Sequence, residues 1–296
     1  MLVISDLTKI YGSFRALDSI SFTAESGKIC GIVGPNGAGK TTTIRIILGI
    51  LGSDSGSITY NGKDIKDIPR SAFGYLPEER GLYKQSTVKE TLLYLGTLKT
   101  SNTKQLQSDI DYWLDRFHIP DYKHKKIEEL SKGNQQKIQF IASVLHNPEL
   151  LIIDEPLSGL DPINQELFKD IVQELRIKGK TILFCTHQLP IAEALCDSVI
   201  MLNKGVIALS GMMSDILKSG TSDVLIEYSS INAESFPATF RRFSDNQWII
   251  SNQHASMQEI VAEASAFGEI ISINPYRPTL LSIFRQHIQV SEEVQS

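Results

Sequence analysis

Residues 34–41 read Gly34-Pro35-Asn36-Gly37-Ala38-Gly39-Lys40-Thr41, which is the pattern G-x-x-x-x-G-K-T. The glycines of this pattern allow a tight turn in which consecutive backbone N–H groups point at phosphate oxygens. We expect Lys40 to reach the terminal phosphates of a nucleotide and the hydroxyl of Thr41 to bind Mg²⁺. All eight residues and the following Thr42 are therefore assigned to a nucleotide-binding site.

The flanking sequence has the character that such a loop requires. The apolar run at 28–33 is typical of a buried strand, and residues 42–48 predict a helix. The N-terminal end of that helix would face the bound anion and stabilise it. Strand, phosphate loop and helix in this order predict an α/β fold.

The remainder of the N-terminal sequence extends this prediction. Residues 1–27 look rich in strands, and apolar residues recur at helical spacing between about 88 and 145. Two continuous apolar runs, Leu150–Asp154 and Thr181–Thr186, are typical of buried parallel strands. Because a helical pattern at 167–175 lies between them, the alternation indicates a parallel core sheet.

Composition narrows the class of protein. With 296 residues, of which 42% are hydrophobic, the chain can form one large domain and a smaller one. The net charge of −5 argues against a nucleic-acid-binding surface, so we expect no nucleic acid partner. Cys30, Cys185 and Cys196 lack metal-ligand spacing and fit reduced thiols in a cytoplasmic protein. No stretch approaches the ~18 apolar residues of a membrane span, and the first residues do not resemble a signal peptide, so a membrane role would need a partner.

Two consecutive acids follow the first apolar run. Asp154, at the C-terminal tip of a buried strand, is suited to hold Mg²⁺ beside the γ-phosphate. Glu155 points elsewhere and is our candidate for the general base that polarises the attacking water. Two acids at a strand end are also common on protein surfaces. We assign this pair to a catalytic site only because the chain also contains the phosphate loop.

His187 comes directly after the second apolar run. If that strand lies beside the strand of Asp154, His187 reaches the same sheet edge, where it can hydrogen-bond the γ-phosphate and help to place the water. Together with Lys40 and Glu155 it forms the candidate catalytic set. A lone histidine at a strand end is more often a packed or capping residue, and the residues alone leave that alternative open.

These motifs together resemble the ATPase subunit of ATP-binding cassette (ABC) transporters, over residues 1 to about 215. Leu130-Ser131-Lys132-Gly133-Asn134 is similar to the signature loop of that family, and Ser158-Gly159-Leu160-Asp161 is similar to the loop that couples the two sites of a dimer. Tyr11 stands where the family places an aromatic ring against adenine. The resemblance implies a P-loop NTPase cassette with a parallel core sheet, an antiparallel β subdomain and a helical subdomain at about 86–147.

The resemblance also implies partners. Cassettes of this family pair head to tail around two ATP molecules, and Ser131 and the N–H of Gly133 would meet the γ-phosphate held by the partner's Lys40. Hydrolysis would then open the pair and drive a separate transmembrane permease subunit, with the cassette cytoplasmic and peripheral on the inner face of the cell membrane. The residues do not decide between a homodimer and a heterodimer of cassettes, nor do they name the cargo.

Two motifs depart from the family pattern. Lys132 replaces a glycine and Asn134 a glutamine of the signature loop. In the run Tyr75–Tyr83, Glu78 replaces a glutamine that touches Mg²⁺ and the membrane partner. A carboxylate accepts but cannot donate, so Glu78 joins Thr41 and Asp154 as a candidate Mg²⁺ ligand that the phosphates would repel.

The C-terminal residues are less informative. The runs 75–83 and 130–137 resemble those of sodium-efflux and drug-efflux ATPase subunits, which implies an exporter, and the tail resembles the tail domain of that branch. Small polar residues at Lys218–Asp223 predict a linker, so we expect the cassette at 1–218 and a small α+β domain at 223–296. In that domain strands are expected at 224–228, 248–251 and 270–273, and helices at 257–267 and 280–288.

Other nucleotide-binding classes fit less well. A GTPase would carry an Asn-Lys-x-Asp reader of guanine, but residues 203–206 read Asn-Lys-Gly-Val. A DNA-repair or chromosome ATPase would need a long coiled-coil insertion before Asp154, for which the intervening segment has no room. A regulatory nucleotide-binding module with weak hydrolysis, in a non-transport assembly, stays open because of Glu78 and the altered signature loop.

Overall fold

The computed structural model describes residues 1–79, 81–100, 102–218, 223–232, 236–237, 239–250, 257–276 and 278–285. The chain divides into two compact units, Met1–Met212 and Met213–Ser296. This division precedes Lys218, the cassette end expected from the sequence, because the helix Met213–Lys218 belongs to the second unit. Most of the expected linker, residues 219–222, lies outside the described residues. Among the residues described, no helix has both the length and the apolar character needed to cross a bilayer.

The first unit contains ten strands and six α-helices within its described residues. The strands are β1 (Leu2–Tyr11), β2 (Phe14–Ala24), β3 (Ile29–Val33), β4 (Ser55–Tyr60), β5 (Lys63–Asp64), β6 (Phe73–Leu76), β7 (Leu150–Asp154), β8 (Thr181–Thr186), β9 (Ser198–Asn203) and β10 (Val206–Met212). The helices are α1 (Lys40–Ile47), α2 (Val88–Thr97), α3 (Thr103–Arg116), α4 (Lys132–Val144), α5 (Pro162–Ile177) and α6 (Leu189–Leu195). Short 3₁₀ helices lie at Ile65–Asp67, Arg70–Ala72, Pro120–Tyr122 and Ile127–Glu129.

A six-stranded sheet forms the centre of this unit, in the order β10-β9-β3-β8-β7-β6. Its strands run parallel except for β10, which pairs antiparallel with β9. Every residue of β3 and of β7 is buried, as continuous apolar runs predict for strands covered on both faces. The expected adjacency of β7 and β8 is confirmed, and Asp154 pairs with Cys185 at their carboxyl ends.

A smaller antiparallel sheet, β2-β1-β4-β5, covers the phosphate-loop helix. Its hairpin between β1 and β2 turns at Gly12, whose φ is 59°, and places Tyr11 opposite Phe14. One hydrophobic cluster joins this sheet to α1 and to side chains of β3, β7 and β8. The loop between β3 and α1 is thus anchored from both sides.

The expected helical subdomain consists of α2, α3 and α4. Each helix begins at a side-chain cap: Thr87 with Glu90 forms a capping box, Asn102 caps α3, and Ser131 caps α4 by accepting from the N–H of Asn134. Edge-to-face and tilted aromatic contacts tie α3 and α4 to α5 through Trp113, Phe117, Phe140 and Phe168.

The second unit is a small α+β fold. It contains α7 (Met213–Lys218), β11 (Val224–Ile231), β12 (Phe240–Arg242), β13 (Gln247–Ile250), α8 (Met257–Ser265) and β14 (Gly268–Pro275), and residues 280–285 are helical. The strands form an antiparallel sheet in the order β12-β13-β11-β14, and α8 contributes Ile260 and Ala264 to its core. The strands and helices expected here are confirmed, apart from residues 251 and 286–288, which lie outside the described residues.

Candidate active site

The phosphate loop connects β3 to α1, and its lysine, Lys40, is buried. Lys40 is 7% exposed, and its Nζ donates to the carbonyl oxygens of Gly34 at 2.7 Å and Pro35 at 3.0 Å. None of the salt bridges between described residues involves Lys40. A buried cation without a carboxylate partner is suited to receive an anionic ligand.

The backbone of this loop also fits a phosphate group. Gly37 has a φ of 78°, and an added Cβ would meet open space, so its glycine serves conformation rather than packing. Gly39 has a φ of 107°, and its Cβ would lie 2.7 Å from Cδ2 of Leu17. Gly39 caps α1 without a side chain, and the first turn holds no acidic residue, which leaves the first N–H groups of α1 without a side-chain acceptor.

A cavity of about 410 Å³ lies beside the loop. Its lining residues are Tyr11, Phe14, Ala16, Asn36, Gly37, Gly39, Lys40, Thr41, Thr42, Glu78, Asp154 and Glu155. The structure therefore brings together the expected aromatic, phosphate-loop and acidic residues. Gly34, Pro35 and Ala38 belong to the loop without lining the cavity, and His187, Ser131 and Gly133 also lie outside its lining.

Asp154 is a crowded, buried carboxyl group. It is 2% exposed, and burial together with the neighbouring Glu78 and Glu155 carboxyls raises its pKa to about 6, against the opposing pull of Lys40 and Arg45. A divalent cation would relieve this repulsion, and the hydroxyl of Thr41 and two carboxylates are the oxygen donors that Mg²⁺ prefers. In the described part of the chain, no group of three or more His, Cys, Asp or Glu is spaced to hold a metal by itself.

Glu155 is held in a strained and well-defined position. Its φ of 47° is left-handed, which is rare for a residue with a side chain and recurs at functional sites. The carboxylate accepts from the backbone N–H of His187 at 2.7 Å and from Thr186 Oγ1 at 3.1 Å, and it lies 2.7 Å from His187 Nδ1. Since a carboxylate only accepts, the proton of this last bond belongs on Nδ1.

The remaining acceptor capacity of Glu155 is limited. Both donors from His187 reach Oε1, and Thr186 reaches Oε2. A carboxylate offers about four acceptor sites, two on each oxygen. One site on Oε2 is left for a further donor, such as a water molecule.

Comparison with known proteins agrees with this geometry. The sequence profile of the family described as ABC transporter matches residues 17–158. The uncharacterized ABC transporter ATP-binding protein YhaQ of Bacillus subtilis is 40% identical over 97% of this chain and 98% of its own length. The chain belongs to the ABC transporter family.

Two further likenesses support the assignment. The ABC transporter ATP-binding protein NatA of Bacillus subtilis is 36% identical over 71% of this chain and 87% of its own length. A solved structure described as the ATP binding subunit of an ABC transporter superposes with a TM-score of 0.69 at 32% identity, covering 74% of this chain and 92% of the other. This protein is thus an ABC transporter ATP-binding subunit with the fold of an ABC ATPase.

The signature loop of this ABC ATPase lies outside its own nucleotide cavity. Ser131 is exposed at the start of α4, where its Oγ accepts from the N–H of Asn134 at 3.2 Å. A Cβ on Gly133 would lie 3.4 Å from Cδ2 of Leu160, so the signature loop packs against the loop Ser158–Asp161. Within one copy, neither Ser131 nor Gly133 lines the cavity that holds Lys40.

Three side chains that contact the candidate site were not predicted from the sequence. Thr186 donates to Glu155, Phe14 joins Tyr11 at the cavity, and Gln139 holds the backbone on either side of Glu78. Thr186 could have been predicted from the sequence, because it ends the apolar run directly before His187. For the other two, the sequence offers no local pattern, because their contacts come from distant segments.

Proposed function

We propose that this protein hydrolyses ATP as the motor subunit of an exporter and acts on a separate membrane subunit. The observation that carries the proposal is Glu155, a buried carboxylate that is oriented by Thr186 and His187 beside Lys40 and Asp154. A regulatory module with weak hydrolysis would have no need to bury such a carboxylate in a left-handed backbone conformation.

The residues divide the chemistry among them. Lys40 and the N-terminus of α1 bind the phosphates and stabilise the negative charge that builds up on them. Oε2 of Glu155 accepts a proton from the attacking water, while the bond to Nδ1 keeps the His187 ring in one orientation. When His187 is an imidazolium, with a proton on both ring nitrogens, its Nε2–H can donate a hydrogen bond to the γ-phosphate. Tyr11 and Phe14 provide aromatic surface for the adenine.

Thr41, Asp154 and Glu78 are the residues that would hold Mg²⁺. When bound, Mg²⁺ neutralises charge on the β- and γ-phosphates. Glu78 adds a carboxylate to this set, which makes ATP binding without the cation less favourable, since like charges would then face one another.

Pairing of two cassettes follows from the exposed signature loop. Ser131 and Gly133 stand at the N-terminus of a 13-residue helix, α4, and do not line the cavity of their own copy. A second cassette, either this chain or a related one, would offer its ATP to that helix terminus. ATP would then hold the pair together, and hydrolysis would release it.

A cleft on the first unit fits the membrane subunit. It has a volume of about 580 Å³ and is lined by residues of α2 and α4 and of the segments around 48–50, 70–77 and 81–82. Its described lining includes Arg70 and Lys99 but no Asp or Glu, and Ile50 and Leu98 stand exposed at 65% and 63%. An apolar segment with an acidic residue, at the inner face of the membrane, would complement this surface.

ATP turnover of Glu155→Gln tests the hydrolytic role. The substitution keeps the shape of the side chain but removes the proton acceptor, so kcat should fall by about 10²–10⁴-fold while ATP still binds. Glu149→Gln, just before β7, is the matched control and should keep its turnover. Undiminished turnover in Glu155→Gln would remove the hydrolytic role from the proposal.

Co-purification from membranes tests the partner. Leu98→Asp places a charge at the cleft and should abolish capture of the membrane subunit while ATP binding is kept. Ile177→Asp is the control, because Ile177 is 80% exposed on α5 and does not line the cleft. Equal capture by both variants would exclude the cleft as the docking site, and ATP-driven uptake into inside-out vesicles would establish export.

A further inference from the structure

Gln139 joins α4 to the loop that follows β6. Its Nε2 donates to the carbonyl oxygens of Pro77 at 3.3 Å and Glu79 at 3.0 Å. Gln139 is 6% exposed, and both bonds are partly buried. An amide nitrogen carries two hydrogens, and here each has its own carbonyl acceptor.

The other end of the Gln139 amide is its Oε1, which is buried. Within the part of the chain that the structure describes, this oxygen has no hydrogen-bond partner. Turning the amide over would bring Oε1 against the two carbonyl oxygens, which repel it. The side chain therefore uses both of its donors on the same short loop.

The two accepting residues flank Glu78. Fixing the carbonyls before and after a residue restricts its backbone, and the side chain of Glu78 lines the cavity that contains Lys40 and Asp154. Among charged neighbours, Glu78 contributes most to the raised pKa of Asp154. The hydrogen bonds of Gln139 thus end on either side of Glu78, a residue that acts electrostatically on Asp154 in the cavity.

The same helix makes a second tie. Gln136 lies one turn earlier on α4 and is 2% exposed. Its Nε2 donates to the carbonyl oxygen of Pro156 at 3.4 Å, and Pro156 directly follows Glu155 in the chain. Residues three apart on a helix lie on one face. This face of α4 thus holds the loops of two candidate site acids, and α4 begins at Ser131.

We propose that Gln139 is a positioning residue, which sets the place of Glu78 in the nucleotide cavity and links that place to the orientation of α4. The inference rests on the proposed function of the same site.

Hydrogen–deuterium exchange of the full-length chain without nucleotide tests the positioning directly. Gln139→Met keeps the length of the side chain and removes both donors, so the peptide covering residues 76–82 should exchange about fivefold faster. Gln173→Met is the matched control, since Gln173 also donates to a carbonyl, that of Leu195, but on α5. If Gln139→Met fails to fold, Gln139→Asn, which is too short to reach both carbonyls, takes its place with the same expected result.

A double-mutant cycle then asks whether Gln139 acts through Glu78. The Mg²⁺ concentration for half-maximal ATP turnover should rise about tenfold in Gln139→Met, as it does when outer-shell contacts of a metal ligand are lost. In the Glu78→Ala background the same substitution should change it by less than about twofold. A structural defect would shift both backgrounds equally.

The outcomes separate the two proposals. Unchanged exchange of the 76–82 peptide, or an equal Mg²⁺ shift in both backgrounds while the wild type turns over ATP, would overturn the role of Gln139 alone. A wild-type protein without turnover would overturn the proposed function and this inference with it.

Discussion

The parallel sheet of the first unit and the antiparallel sheet of the second unit bury different kinds of side chain. The first unit buries Lys40, Asp154 and Glu155 at the carboxyl edge of its sheet. Among its described residues, the second unit buries no charged side chain, and its core is built from apolar residues with Tyr228, whose hydroxyl donates to the carbonyl of Ala264. Buried charges destabilise a fold, so the first sheet keeps them for chemistry, whereas the core of the second serves stability.

The largest effect should come from removing a charge in the first unit. Lys40→Met leaves the phosphates without their buried cation, and kcat/KM for ATP should fall by about a thousandfold. Steady-state ATPase kinetics measure it. The counterpart in the second unit is Arg242→Met, which breaks the exposed contacts with Asp245 and with the carbonyl of Ser244 and should leave kcat/KM unchanged. Comparable losses in both variants would erase the contrast between the units.

A core substitution in the second unit should show the opposite pattern. Ile226 is fully buried in β11, so Ile226→Ala should lower the free energy of unfolding of that unit by about 4 kcal/mol while ATP affinity stays within twofold. Hydrogen exchange of β11 and β13 reports the stability, and nucleotide titration reports the affinity. Ile271→Ala, at a site that is 59% exposed on β14, is the control with little expected effect. A loss of ATP affinity in Ile226→Ala alone would show that the nucleotide site depends on the second unit.

The smallest effect should be a gain of stability at the expense of activity. Asp154 has a folded pKa of about 6, above its unfolded value, so its ionised form destabilises the fold above that pH. Asp154→Asn should therefore raise the free energy of unfolding by about 2 kcal/mol at pH 7.5. This is slightly less than the free energy that corresponds to the difference between the folded and the unfolded pKa of Asp154.

The stability difference between Asp154→Asn and the wild type should depend on pH. As the pH falls through about 6, folded wild type takes up a proton and regains stability, so the advantage of Asp154→Asn should shrink toward pH 4. Denaturant unfolding at several pH values measures the difference. A variant less stable than wild type at pH 7.5 would mean that the Asp154 carboxylate is stabilised by its surroundings.

Local patterns predicted most of the fold. The phosphate loop is contiguous, so its glycines and Lys40 could be assigned directly. The apolar runs before Glu155 and His187 predicted two strands, which lie side by side in the structure. In the second unit, the sequence predicted strands but not their order, since strand order depends on pairing between distant segments. The second unit begins at Met213, ahead of the boundary expected at 218, because the helix α7 groups with the residues that follow it.

By itself, the sequence determined to which family this chain belongs and predicted where its nucleotide site lies, because those signals lie in short contiguous motifs. Only the tertiary structure decided how Glu155 is held by Thr186 and His187, how closely Glu78 and Asp154 interact, and that Gln139 spans from α4 to the Glu78 loop. Such contacts depend on distances between segments far apart in the chain, and periodicity and composition do not encode these distances locally.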